Sequence, residues 1–125
     1  SDDTSRRMII EDKDVPIGET HFSVYEGAKY RIGIKICEES YQEKGLGRVI
    51  LSMLIEELFD RGAKLIFLDT NLNNTRAPHV YEMLGFKKKG IRRDSWRNQL
   101  GELQSSVDYE MVYEDFHNMK KTLSV

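Results

Sequence analysis

Two glycines inside a polar run, Gln42-Glu43-Lys44-Gly45-Leu46-Gly47, open directly into the amphipathic stretch Arg48–Arg61. That arrangement suits a phosphate or diphosphate. The first turn of a helix leaves backbone N–H groups without intrahelical acceptors, and the aligned peptide dipoles add partial positive charge there. Glycines remove side chains that would hold an anion away from those donors. Two familiar phosphate loops are excluded. A P-loop needs Lys-Ser/Thr after its second glycine, but Arg48-Val49 follows Gly47, and a dinucleotide fingerprint needs a third glycine where Ile50 stands. Taken alone, the segment fits an ordinary strand-to-helix turn equally well.

The elements that must position this loop follow from periodicity. Arg6–Glu11 and Ile17–Tyr25 alternate as strands around the turn Asp12–Pro16, and Glu26-Gly27-Ala28 closes a hairpin onto Tyr30–Glu38, where Ile32, Ile34 and Ile36 share a face. In the main helix, Leu46, Val49, Ile50, Met53, Leu54, Leu58 and Phe59 recur at three- and four-residue spacing, and Gly62 stops it. Leu65–Leu68 is a continuous apolar run, expected to be a central strand covered on both faces. Asn74 is expected to cap a helix over Thr75–Leu84, with Pro78 in its first turn and Gly85 at its end. Phe86–Trp96 and Leu103–Tyr113 read as two long strands, and Glu114–Val125 as a short helix or a disordered tail.

The order β-β-β-α-β-α-β-β contains one strand–helix–strand unit, which demands a parallel pair with a right-handed crossover. The phosphate seat then lies beyond the carboxyl end of a strand, where open α/β sheets take their ligands. A chain of 125 residues makes one domain, expected over 6–116, with 1–5 a frayed or appended end and 117–125 a tail. A net charge of −2 provides no global field to recruit nucleic acid or acidic lipid, so neither is expected as a partner. The lone Cys37 cannot form an internal disulfide, which favours a reducing compartment. No apolar stretch reaches membrane-spanning length, and Ser1–Arg7 is no signal peptide; a cytoplasmic setting is expected.

A second constellation, Asn74-x-x-Ala77-x-x-x-Tyr81-x-x-x-Gly85-Phe86, follows the loop after one helix and one strand. Together with Gln42-x-x-Gly45-x-Gly47 it resembles the GCN5-related N-acetyltransferase (GNAT) family, over about Arg6 to Phe116. Gly85–Tyr113 looks most like the branch that includes ribosomal-protein and small-amine acetyltransferases. The resemblance implies a mixed, mostly antiparallel twisted α/β sheet with a central parallel crossover. It implies acetyl transfer from acetyl-CoA to a primary amine by direct attack, without a metal. Backbone N–H groups of Glu43, Lys44, Gly45, Leu46, Gly47 and Arg48 would hold the coenzyme diphosphate, with Gln42 beside them. Ile36 and Cys37 would pair with the pantetheine arm, where a bulge often frees an N–H for the oxyanion. Asn74 would contact the same arm, and Tyr81 would protonate the departing thiolate. A phenol with a pKa near ~10 keeps its proton at neutral pH.

Each of these residues has a plainer reading. Tyr81 alone would be a core aromatic, Asn74 a helix cap and Cys37 a small buried residue. His21 and His79 could take a proton from the attacking amine but more often fill structural roles. Glu19, Glu38 and Glu39 are further candidate bases, because Arg31 stands where the family often places a glutamate. Lys87-Lys88-Lys89 with Arg92-Arg93 reads as a lysine-protected strand edge before a contact for the coenzyme's 3′-phosphate. Trp96, Tyr109 and Tyr113 are expected to pack the last hairpin. The resemblance leads one to expect an amino-terminal strand and two helices that this sequence does not match, either lost by truncation or replaced by a partner chain, so exposed apolar surface and self-association are expected. The rival class is a non-catalytic acyl-CoA-binding or dimerisation module.

Overall fold

In a computed structural model, the described residues are 5–12, 15–36, 46–74 and 77–123. Six strands and three helices follow in chain order: β1 (Ser5–Asp12), β2 (Val15–Tyr25), β3 (Lys29–Ile36), α1 (Leu46–Asp60), β4 (Leu65–Asn71), α2 (Ala77–Leu84), β5 (Lys87–Arg97), β6 (Leu103–Met111) and α3 (Tyr113–Leu123). The strand order is β1-β2-β3-β4-β6-β5, mostly antiparallel with one parallel pair. The mixed sheet and its crossover are those expected. The chain divides into two compact units, Ser1–Ile66 and Phe67–Val125.

In the first unit, β2 and β3 pair without interruption from Gly18↔Ile36 to Tyr25↔Lys29. The β1–β2 ladder slips one residue between Ile10 and Glu11, next to Pro16, which has no N–H for the ladder. The β2–β3 turn sets Gly27 and Ala28 at φ of 82° and 58°, and the Ala28 carbonyl accepts the Lys64 N–H at 2.9 Å. Phe22, Ile32, Leu51, Leu54, Ile55 and Leu58 are buried. Four of these are the inward stripe of α1, spaced three and four residues apart. Val49 and Met53, assigned by periodicity to the same stripe, are instead 52% and 66% exposed. They sit on its flank, where spacing alone does not separate core from rim. At the end of α1, Gly62 at φ 100° donates to the Phe59 carbonyl, and Ala63 donates to that of Leu58. This pair of bonds is a Schellman cap.

In the second unit, Leu68, Leu84, Phe86, Val107, Tyr109, Met111 and Phe116 form the buried set. β4 was expected to be covered on both faces, but Ile66 and Leu68 are buried while Leu65 and Phe67 are half-buried. One face of the strand is therefore packed more closely than the other. β5 is an edge strand, and its side chains are exposed save at Gly90. Trp96 (42%) and Tyr113 (56%) are also exposed, so of the three aromatics expected to pack the hairpin only Tyr109 does so. Residues 113–123 are helical and anchored by Phe116. The Asp115 carboxylate accepts the Val112 N–H at 3.0 Å, the reciprocal half of a capping box. Acidic Glu114 and Asp115 in the first turn and Lys120 and Lys121 in the last match the helix dipole.

Candidate active site

The spacing Tyr81-x-x-x-Gly85-Phe86 is the geometry of a helix terminus. Gly85 donates to the Glu82 carbonyl at 3.1 Å and Phe86 to that of Tyr81 at 3.0 Å, so α2 ends in a second Schellman cap. Gly85 has φ 105°, a region that disfavours a side chain. A Cβ at Gly85 would also lie 2.9 Å from the Asp115 carbonyl oxygen. The cap folds Phe86 back onto the helix, its ring 6.0 Å from that of Tyr81 in an edge-to-face arrangement. The Tyr109 ring of β6 lies 5.6 Å from Tyr81 on another side. Backbone and two rings thus fix where the Tyr81 phenol sits.

Its electrostatic surroundings keep that phenol protonated. Burial pushes the Tyr81 pKa above the ordinary value of 10.0, and the negative charge of Asp69 and the neighbouring Tyr109 add to the rise. Tyr109 is likewise raised, by burial first and then by Glu82.

Asp69 lies on β4 just beyond the apolar run and is held by Arg92 of β5. One guanidinium nitrogen, Nη2, donates to Asp69 Oδ2 and to Asp108 Oδ1, each at 2.8 Å. Nε adds a bond to Asp108 Oδ2 at 2.9 Å. The hydrogen bond to Asp108 is the foremost cause of a raised Arg92 pKa. Neither Asp69 nor the link to Arg92 was singled out from the sequence. A carboxylate closing a central apolar strand was the available signal for Asp69; the Arg92 contact spans 23 residues and had none.

The remaining candidates are placed as follows. Asn74 is exposed in the turn after β4; its backbone N–H donates to the Asn71 carbonyl and its side-chain amide to Thr70 Oγ1 at 3.2 Å. Leu46 and Gly47 open α1, and Arg48 is exposed in its first turn, which carries no acidic residue. Ile36 is the last residue of β3, opposite Gly18, and the β2–β3 register shows no bulge up to that point. Cys37, Glu38, Glu39, Gln42, Glu43, Lys44 and Gly45 lie outside the described residues.

Two candidate bases of the first unit, among the described residues, have neighbours that the structure shows. His21 lies across Gly33 of β3, where a Cβ would run into the imidazole ring. Glu19 pairs with Arg7 at 3.6 Å. Arg31 is exposed opposite Ser23, and His79 is exposed on α2. Of the basic cluster, Lys87 pairs with Asp115 at 3.1 Å and Lys89 with Glu110 at 3.9 Å, in keeping with a solvated edge. Among the described residues, no three His, Cys, Asp or Glu side chains gather as a metal site, and no helix is long and apolar enough to cross a membrane.

The model of the acetyltransferase (GNAT) family matches residues 1–86. The ribosomal protein bS18-alanine N-acetyltransferase of Salmonella typhimurium is 30% identical over 95 residues, 76% of this chain and 62% of that protein. Its Escherichia coli counterpart is 42% identical over 57 residues, 46% of this chain and 38% of that protein. The chain therefore spans less than two thirds of these curated relatives. Among solved structures, a spermidine N-acetyltransferase variant from Vibrio cholerae superposes with a TM-score of 0.83 at 23% identity, covering 95% of this chain and 72% of that one. The Escherichia coli bS18-alanine enzyme gives 0.77 at 24% identity, covering 90% and 71%. These two likenesses establish the fold.

Proposed function

Because this chain belongs to the acetyltransferase (GNAT) family, we propose that it transfers an acetyl group from acetyl-CoA to a primary amine by direct attack. The observation that carries the reading is Tyr81, a phenol kept protonated by burial and fixed by the helix cap and the rings of Phe86 and Tyr109.

The donor's diphosphate is assigned to the start of α1. The fit is electrostatic: the start of a helix carries partial positive charge, and the first turn of α1 holds no acidic residue. Gln42, Glu43, Lys44, Gly45, Leu46 and Gly47 make up the rest of that seat. Ile36, Cys37 and Asn74 are assigned to the pantetheine arm.

The reaction forms one C–N bond and breaks one C–S bond. The acceptor nitrogen adds to the thioester carbonyl, and a backbone N–H near the end of β3 meets the oxyanion, a contribution of about 3–4 kcal/mol where such donors have been removed. Once bonded to that carbon, the nitrogen is a far stronger acid than a free ammonium, so a carboxylate can take its proton. Asp69 is the carboxylate whose charge reaches Tyr81, and we assign it that role. Tyr81 gives its own proton to the departing sulfur and recovers one from solvent.

The acceptor is assigned to the amino terminus of a protein. The curated relatives described above are named for the alanine of ribosomal protein bS18, whereas the spermidine enzymes are similar in fold. A cytoplasmic setting and self-association complete the reading; Met8 and Ile9 on the edge strand β1, with Val49 and Met53 on α1, leave apolar surface open.

Intact-mass analysis after incubation with acetyl-CoA and an alanine-initiated peptide tests this function. A gain of one acetyl group per peptide, with equal release of free CoA, is expected. Binding of acetyl-CoA without consumption, across peptides and polyamines, would favour the non-catalytic module instead.

A further inference from the structure

Arg92 stands on an exposed edge strand, where an arginine's usual contribution is solubility. Its hydrogen bonds serve a narrower purpose. Nε and Nη2 grip both oxygens of Asp108, fixing the guanidinium plane, and the other hydrogen of Nη2 then reaches Asp69. Three neighbouring strands meet at that one group: β4 through Asp69, β5 through Arg92 and β6 through Asp108. Just past Arg92 the β5–β6 register slips before Trp96, and Asp94 takes φ 49°, its N–H donating to Ser105 Oγ at 3.0 Å. A bulge of this kind re-aims the residues beside it.

A part-exposed ion pair stabilises a fold only weakly. The position of Asp69 matters more, because Asp69 is the charge that Tyr81 senses from β4, while Tyr109 is the group facing it from β6. A carboxylate on a rotatable side chain holds one place only if something holds it there.

We propose that Arg92, braced by Asp108, is a positioning residue that holds the Asp69 carboxylate in one place. This rests on the acid and proton-acceptor roles given above to Tyr81 and Asp69. Arg92 touches neither substrate nor the reacting atoms; it acts through Asp69. If the bridge served stability alone, its loss would leave turnover intact.

The test compares Arg92→Met, Arg92→Lys, Asp69→Asn and the pair Arg92→Met/Asp69→Asn in the whole protein, with two readouts. In steady-state kinetics, Arg92→Met is expected to lower kcat about 10–100-fold while the KM for acetyl-CoA stays within about twofold of wild type. Arg92→Lys should restore part of the loss, and the double variant should be no slower than Asp69→Asn alone. In 13C NMR titrations of ring-labelled Tyr81, Asp69→Asn should move the phenol titration down toward its ordinary value, because it removes a negative neighbour. That shift should be smaller in the Arg92→Met background, where the carboxylate is no longer held and the charge of Arg92 itself cancels from the comparison.

Wild-type kcat in Arg92→Met, or losses that multiply in the double variant, would overturn the proposal. So would an Asp69→Asn shift of the Tyr81 titration that is as large in the Arg92→Met background as in wild type, which decides the matter even in a protein with no measurable turnover. Wild-type turnover in Tyr81→Phe would instead sink the acid assignment and leave the Arg92–Asp69 coupling to the titration.

Discussion

The Phe86 N–H donates to the Tyr81 carbonyl at 3.0 Å, so the residue proposed to supply a proton is also the one whose carbonyl closes its own helix. Chemistry and capping share a residue here. The Tyr-x-x-x-Gly-Phe spacing is then a statement about backbone geometry before it is one about catalysis.

Gly85→Ala should therefore be costly. The substitution forces a side chain into φ 105° and drives its Cβ against the Asp115 carbonyl oxygen. A loss of about 2–4 kcal/mol is expected, read as a lower urea midpoint with unchanged slope. Stability within about 0.5 kcal/mol of wild type would contradict the account of the cap.

The Tyr81 phenol gives a pH prediction with a definite sign. Its folded pKa lies above 10.0, so its proton is present below that value and is lost as pH rises through the raised one. The alkaline limb of kcat should fall above pH 10, and Asp69→Asn should bring it lower, because removing a negative neighbour favours the phenolate. The same shift makes folding stability full below pH 10 and declining above it. Stopped-flow turnover between pH 7 and 11 reads the limb directly; no movement in Asp69→Asn would refute the coupling.

Gly33→Ala tests the placement of His21. The new methyl group must displace the His21 ring, at about 1–3 kcal/mol, and His21→Ala should relieve most of that cost in the double variant. Denaturant titrations of the three variants give the coupling. Independent, additive losses would show that His21 does not lie across Gly33.

Self-association is expected from the exposed β1 edge and the α1 flank. Sedimentation velocity at micromolar concentration should show a species larger than the 14.6 kDa chain, and Ile9→Lys should weaken it. A single monomer boundary would count against it.

The legible part of this fold was local. Alternation marked β1, β2 and β3, glycine stops marked the ends of α1 and α2, and the loop before α1 with the Asn74–Phe86 frame carried the family. What stayed hidden depends on distance along the chain. Val49 and Met53 share the period of Leu54 and Leu58, and only packing separates rim from core. Trp96 looked like a hairpin anchor, because an aromatic in a strand carries no mark of which side meets solvent. Asp69, Arg92 and Asp108 come from three strands, and no periodicity links them. The place of the His21 ring across Gly33 depends on cross-strand register, which the sequence does not print.

The most direct test is the turnover of Tyr81→Phe, followed by free CoA release with saturating acetyl-CoA and acceptor. A phenylalanine keeps the ring and the cap but has no proton to give. The account calls for kcat to fall about 10²–10⁴-fold with acetyl-CoA affinity retained. Wild-type kcat, with the chemical step shown to be rate-limiting, would contradict it.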